Sequence, residues 1–252
     1  MKKKIALLFI TRSDLTHSAL WKEWLDLEKY TVYSHSKDPV NDPWFSQFRI
    51  TENLPNEWGH ILLVEQALFK EALKNKSNYK FVILSESCVP LRSCEEIHQF
   101  LTRDDSSYMK WKNAWWSRAE RTQWDFPKEH RRFGNHSWYI LNRKHAQMIA
   151  EDTRWIERAN AVEISDESYP VNFFSYSGVL NEFKNVLTTY VDWERGSPQQ
   201  FSVITNEDVE RLLHARHFSD GPEAPRHCLF GRKFHPSFPD EMIKFIQKGG
   251  MP

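Results

Sequence analysis

Residues 79–87 read YKFVILSES, an unbroken apolar run from Phe81 to Leu84 that turns polar at Ser85. A run of that kind, without alternation, suits a strand covered on both faces, as in a parallel sheet with helices on either side. The stretch IALLFIT at 5–11 has the same character, and YTVYSH at 30–35 follows it after a helical pattern carrying Leu20, Trp21, Trp24 and Leu25. Strand, helix and strand in that order form a βαβ unit, so the expected class is α/β with a mostly parallel central sheet flanked by helices.

The remaining chain continues the alternation. A long helix is predicted at 60–76 (HILLVEQALFKEALKNK), and a second at 93–101 (SCEEIHQFL), where Ser93 and Glu96 have capping-box spacing. Extended chain is predicted at 107–111, 137–143 and 185–193, with helices after 143, near 166–174 and from Asn206. Residues 112–134 are polar, basic and aromatic without a sustained period, and read as a loop-rich insertion over the active face. With 252 residues and 40% hydrophobic content, the chain is expected to form one domain spanning 1–252.

Charge and motif content exclude several classes. Lys plus Arg and Asp plus Glu both number 34, so no global field draws the molecule onto nucleic acid or an anionic membrane. No stretch approaches the roughly 18 apolar residues of a spanning helix, and the basic start MKKK leads into an apolar run too short for a signal peptide. Three cysteines, Cys88, Cys94 and Cys228, lack metal-ligand spacing and favour a reducing compartment. A soluble, cytoplasmic protein is the expectation. Neither G-x-G-x-x-G nor a P-loop motif occurs, and no two aspartates stand two positions apart, so the Asp-x-Asp pair that often holds a divalent cation is missing.

Several blocks, taken in order, resemble one family: EWGHILLVEQALFKEAL (57–73), FVILSESCVPLRSCEEIHQFL (81–101), DESYP (166–170), TYVDW (189–193), GSPQQF (196–201) and CLFGRKF (228–234). Together they are similar to the core-2/I-branching β-glycosyltransferases, over Ile5 to Ile246. That group holds branching N-acetylglucosaminyltransferases, peptide O-xylosyltransferases and plant glucuronosyltransferase-like proteins. The resemblance implies a GT-A type fold, a UDP-sugar donor, inversion at the anomeric carbon and no metal requirement, hence no cofactor beyond the co-substrate.

Inverting transfer needs a carboxylate to take the acceptor hydroxyl's proton, and positive charge where the diphosphate departs. By resemblance the catalytic Glu falls on Glu167, with Asp166 beside it expected as a helix cap. The diphosphate-binding Lys falls on Lys233, with Arg232 as a second cation; alternation in a strand would send their side chains to opposite faces. The family's further Arg has no counterpart in GSPQQF, which leaves Arg232, Arg211 and Arg195 as alternatives for the partner of Lys233. An ordinary solvated strand end is the plain alternative for this basic pair.

Other donor contacts are expected from Thr11 and Arg12 after the first strand, from His35 at the second strand end, and from Glu86 and Asp192 at later strand ends. On the acceptor side, Trp193, Trp116, Trp138, Arg118 and Arg121 combine flat apolar rings with forked donors, which suits glycan recognition. UDP-xylose is the favoured donor, with UDP-GlcNAc and UDP-glucuronic acid as alternatives; a GT-A module that binds glycans without catalysis is the competing class. No metal-binding residues, no nucleic-acid partner and no membrane span are expected, and a microbial or viral system is favoured.

Overall fold

The computed structural model describes residues 2–113, 133–193, 198, 200–203, 205–215 and 228–250. The chain opens with β1 (Lys4–Thr11), α1 (Ser18–Trp24), β2 (Tyr30–Ser36), α2 (Pro43–Ser46), α3 (Leu62–Leu73), β3 (Asn78–Ser85), β4 (Val89–Pro90), α4 (Cys94–Thr102), β5 (Ser107–Tyr108) and β6 (Trp111–Asn113). It continues with β7 (Phe133–Asn135), β8 (Ile140–Asn142), α5 (Arg143–Glu151), α6 (Ile156–Asn160), α7 (Tyr169–Tyr176), β9 (Phe183–Lys184), β10 (Thr189–Val191), α8 (Asn206–Ala215), β11 (Phe230–Arg232) and α9 (Asp240–Gln247).

Six strands form the central sheet in the order β2-β1-β3-β8-β5-β9. The β1–β2, β1–β3 and β5–β9 pairings are parallel, while β8 runs antiparallel to both β3 and β5. This is the α/β architecture the apolar runs predict. Period-two alternation in β1 sends Ala6, Leu8 and Ile10 to one core and Ile5, Leu7 and Phe9 to the other. The first core packs against Leu68, Phe69, Ile149 and Phe174 from α3, α5 and α7; the second packs against Trp21, Trp24, Ile97 and Leu101 from α1 and α4. Both faces of the sheet are therefore dry, which is why its strands read as continuous apolar runs.

A second sheet, β10-β11-β4, sits on its own core of Val89, Leu91, Leu212, Phe234, Phe238, Ile243 and Ile246. A third pairing, β6 with β7, makes the stem of a hairpin. The capping box opens α4 as the spacing predicts: Ser93 Oγ accepts from Glu96 N–H, and the Glu96 carboxylate accepts from Ser93 N–H at 3.0 Å. Two predicted strands are shorter than their patterns suggest. In 137–143 only Ile140–Asn142 pairs, because the Asn142 side chain accepts from His145 N–H and starts α5 at Arg143. In 185–193 only Thr189–Val191 pairs, in register with Phe230–Arg232 of β11. The predicted insertion at 112–134 begins and ends in the β6–β7 stem, and 114–132 lie outside the described residues.

Candidate active site

Because β1, β2 and β3 are parallel, Thr11, Ser36 and Ser85 finish at one edge of the sheet. Ligand sites of open α/β sheets lie beyond that edge. The buried Thr11 hydroxyl donates to the Ser13 carbonyl at 2.8 Å and lies 2.7 Å from Ser36 Oγ. Arg12 points into solvent, its Nε donating to Asp38 at 3.1 Å. His35 is buried, and its Nε2 accepts from Leu54 N–H at 3.0 Å, which places the ring proton on Nδ1. Burial, and then the nearby Arg49 charge, lower its pKa and keep the ring neutral. Thr11 and His35 thus support the rim, whereas Arg12 projects from it.

Four residues after β3 the chain enters β4, which pairs antiparallel with β11, and Phe234 N–H donates to the Ser87 carbonyl at 3.0 Å. These bonds carry Arg232 and Lys233 from the far end of the sequence to the end of β3. Close packing is required for the approach, since a Cβ on Gly231 would stand 3.1 Å from Leu91 Cδ1. Burial lowers the pKa of both cations, and the Arg232 charge adds to the effect on Lys233. Glu86 opposes this shift at both cations. Among the described residues neither cation forms an ion pair, and the buried Nε of Arg232 has no hydrogen-bond acceptor. The Arg232 guanidinium instead stacks 4.1 Å from the centre of the Trp138 ring.

Glu167 ends a single 3-10 turn, Ser165–Glu167, ahead of α7. Its carboxylate and that of Asp166 both lie near enough to Arg232 to favour the guanidinium charge. The turn is entered through Ile164, which has φ 61°, a left-handed conformation that costs a β-branched residue of order 1–3 kcal/mol and that occurs mainly where surrounding bonds enforce it. Here Ile164 N–H donates to the Gly59 carbonyl at 2.7 Å, and Asn135 Nδ2 donates to the Asp166 carbonyl at 2.9 Å. Asp166 is not the cap of α7, contrary to expectation. The N-cap is Ser168, two positions on, and its own side chain makes no capping bond.

Asp192, at the end of β10, is buried and accepts from Arg211 Nη1 at 3.0 Å. That ion pair engages both Asp192 and one alternative partner of Lys233. Trp193 is 46% exposed, so core packing does not explain it. Glu86 is half-buried, and its main-chain carbonyl accepts from Thr16 N–H at 3.1 Å. Trp116, Arg118, Arg121 and Arg195 lie outside the described residues. Among the described residues no three His, Cys, Asp or Glu side chains gather as metal ligands, and no helix is long and apolar enough to cross a membrane. All three cysteines are free thiols.

The sequence pattern does not single out Glu65, Asn135 or Asn172. Glu65 sits on α3 with no solvent exposure and accepts from the Tyr139 hydroxyl at 2.5 Å; burial raises its pKa well above the usual carboxylate range, the Tyr139 bond opposes that shift and the nearby Asp166 charge adds to it. Its only sequence signal is a carboxylate amid the apolar residues of a core helix.

The described geometry therefore brings Arg232, Lys233, Glu86, Asp166, Glu167 and Trp138 together, while Thr11 and His35 lie at the β1 and β2 ends and Asp192 follows β10. The model of the Core-2/I-Branching enzyme family matches residues 5–213. A curated relative, Glycosyltransferase BC10 of Oryza sativa subsp. japonica, is 25% identical over 163 residues, which is 59% of this chain. The aligned region spans 41% of the rice protein's length. Two solved structures match at low similarity. One is a glycosyltransferase involved in the glycosylation of the major capsid of PBCV-1, with TM-score 0.39, 12% identity, and 72% of this chain and 79% of that chain covered. The other, A197 from STIV, has TM-score 0.30, 11% identity, and coverage of 60% and 69%. On the match spanning 5–213, the chain belongs to the core-2/I-branching enzyme family of glycosyltransferases.

Proposed function

We propose that this protein is an inverting β-glycosyltransferase that moves a sugar from a UDP-sugar to a glycan hydroxyl without a divalent cation. Glu167 acts as general base: its carboxylate takes the acceptor hydroxyl's proton as that oxygen bonds to the anomeric carbon from the face opposite UDP. The bond from the anomeric carbon to the phosphate oxygen breaks, and UDP leaves with the electron pair. Arg232 and Lys233 stabilise the charge growing on the diphosphate, the part that a metal ion plays elsewhere. Trp193 and the hairpin carrying 114–132 supply acceptor contacts, and UDP-xylose is the preferred donor, ahead of UDP-GlcNAc and UDP-glucuronic acid. Three free thiols fit a reducing compartment, where we place the reaction.

One observation carries this reading: Arg232 and Lys233 stand together, outside any ion pair among the described residues, with the Glu167 carboxylate near Arg232. An anion of two charges fits that arrangement, and the base would then act from across the anomeric carbon, opposite the departing oxygen. Calorimetric titration of UDP, UDP-xylose, UDP-GlcNAc and UDP-glucuronic acid, each in EDTA and in Mn, tests donor class and metal dependence together. Micromolar binding of UDP and one UDP-sugar in EDTA supports the proposal. A strict need for Mn overturns the metal-free mechanism, and no binding of any of the four points to a glycan-binding module instead.

A further inference from the structure

The hairpin stem is fastened to the Glu167 turn by two buried asparagines. Asn135, the last residue of β7, is 1% exposed. Its Nδ2 donates to the Asp166 carbonyl at 2.9 Å and to the His136 carbonyl at 3.2 Å, while its Oδ1 accepts from Val171 N–H at 3.4 Å. The last bond caps α7 from another strand, which fits a helix whose own N-cap side chain makes no such bond. Asn172, fully buried on α7, faces the other way. Its Oδ1 accepts from Phe133 N–H at 3.2 Å, and its Nδ2 donates to the carbonyls of Phe133 at 2.9 Å and Ser168 at 2.7 Å.

The Asn172 amide thus offers Phe133 one acceptor and one donor, as a neighbouring strand would. An apolar residue at either position would remove these bonds between stem and turn, so the pairing specifies one seating of the stem on the turn. The two contacts also lie on opposite sides of Glu167, one through the Asp166 carbonyl and one through the Ser168 carbonyl. Arg232 and Lys233 reach the site on a different sheet, so the clamp bears directly on the base and the stem and, among the described residues, touches the cations only through the Trp138 stack.

We propose that Asn135 and Asn172 are positioning residues that hold the β6–β7 stem and the Glu167 turn as one body, so that an acceptor bound beside the stem finds the base already aligned. This rests on Glu167 being the base. Misplacing a catalytic group by about 1 Å costs on the order of a hundredfold in rate. The test compares Asn172→Ala, Asn135→Ala, Glu167→Gln and Asn172→Ala/Glu167→Gln. Turnover is followed as UDP release from UDP-xylose with p-nitrophenyl glycosides as acceptors, UDP affinity by calorimetry, and folding by thermal melting. We expect Asn172→Ala to lower kcat about 10–100-fold while UDP affinity stays within about threefold, and to cost no further rate in the Glu167→Gln background. Asn135→Ala reports the same split if Asn172→Ala fails to fold. A folded Asn172→Ala with wild-type kcat, or an undiminished rate loss in the Glu167→Gln background, overturns the clamp alone. Wild-type turnover by Glu167→Gln overturns the base assignment, and the clamp proposal falls with it.

Discussion

The Arg232 guanidinium lies over the Trp138 ring, 4.1 Å from its centre, and this contact joins the Arg232–Lys233 pair to the segment that follows β7. A flat cation stacked on indole keeps its in-plane donors for other acceptors, and the stacking is worth about 0.5–2 kcal/mol. Trp138→Ala is therefore expected to weaken UDP binding about 3–30-fold, with Trp138→Phe intermediate. In an Arg232→Met background the same change should have little further effect. Calorimetry on the four variants measures this, and equal effects in both backgrounds would show that the stack does not organise the cation.

Glu65 gives a stability prediction with a definite sign. Burial raises its pKa well above the usual carboxylate range, so the folded protein holds a proton that the unfolded chain releases above about pH 4.3. The associated stability is complete below that pH and declines as pH rises. Glu65→Gln keeps an acceptor for the Tyr139 hydroxyl and removes the titration. It should be more stable than wild type by about 1–3 kcal/mol at pH 8, with the difference vanishing near pH 4. Denaturant unfolding at the two pH values decides it; a variant less stable at both would mean that the acid proton makes a bond that Gln cannot replace.

His145 titrates the other way. Its ring is buried between Phe174 and Phe183, its Nδ1 is 2.7 Å from Ser107 Oγ, and burial lowers its pKa to about 4. The unfolded ring protonates near pH 6.5, so stability is intact above that value and falls as pH drops toward 4, by up to about 3 kcal/mol from this group. His145→Gln should make the decline between pH 7 and 4 measurably shallower. An unchanged slope would assign the acid sensitivity to other groups.

Gly59 is the counterpart of Ile164. It has φ +82°, and a Cβ there would stand 3.1 Å from the Ile164 main-chain nitrogen. Gly59→Ala is expected to cost about 1–3 kcal/mol, because both the dihedral and the contact resist it. Since the Ile164 amide bond to Gly59 supports the Glu167 turn, kcat should fall with stability while UDP affinity holds. A stable variant with reduced kcat would separate the turn's catalytic role from its structural one, and a variant unchanged in both would show that the turn can relax.

Elements with a physical signature in the local sequence were legible. The dry strands β1 and β3 show as apolar runs, and the Ser93/Glu96 box marks the start of α4. Resemblance to the family, rather than local pattern, points to Glu167 and Lys233, and the β4–β11 pairing carries Arg232 and Lys233 to the end of β3. What escaped was tertiary. Asn135 caps α7 from another strand, so no sequence window around α7 contains its cap. Ile164 adopts a conformation that its side chain disfavours, and Glu65 looks like a surface residue until α3 packs with Glu65 on a buried face. Asp166 had the right residue type for a cap at nearly the right place, and the intervening 3-10 turn moved the helix start past it.

The hairpin stem also has an engineering consequence. Trp111, Lys112 and Asn113 pair with Asn135, Gly134 and Phe133, so the chain leaves the stem at Asn113 and re-enters it at Phe133, two positions paired in register. Such a stem is a natural splice point: its ends are fixed in space whatever is sewn between them. Segments of different length or composition could be exchanged there as cassettes while the rest of the sheet framework stays unchanged.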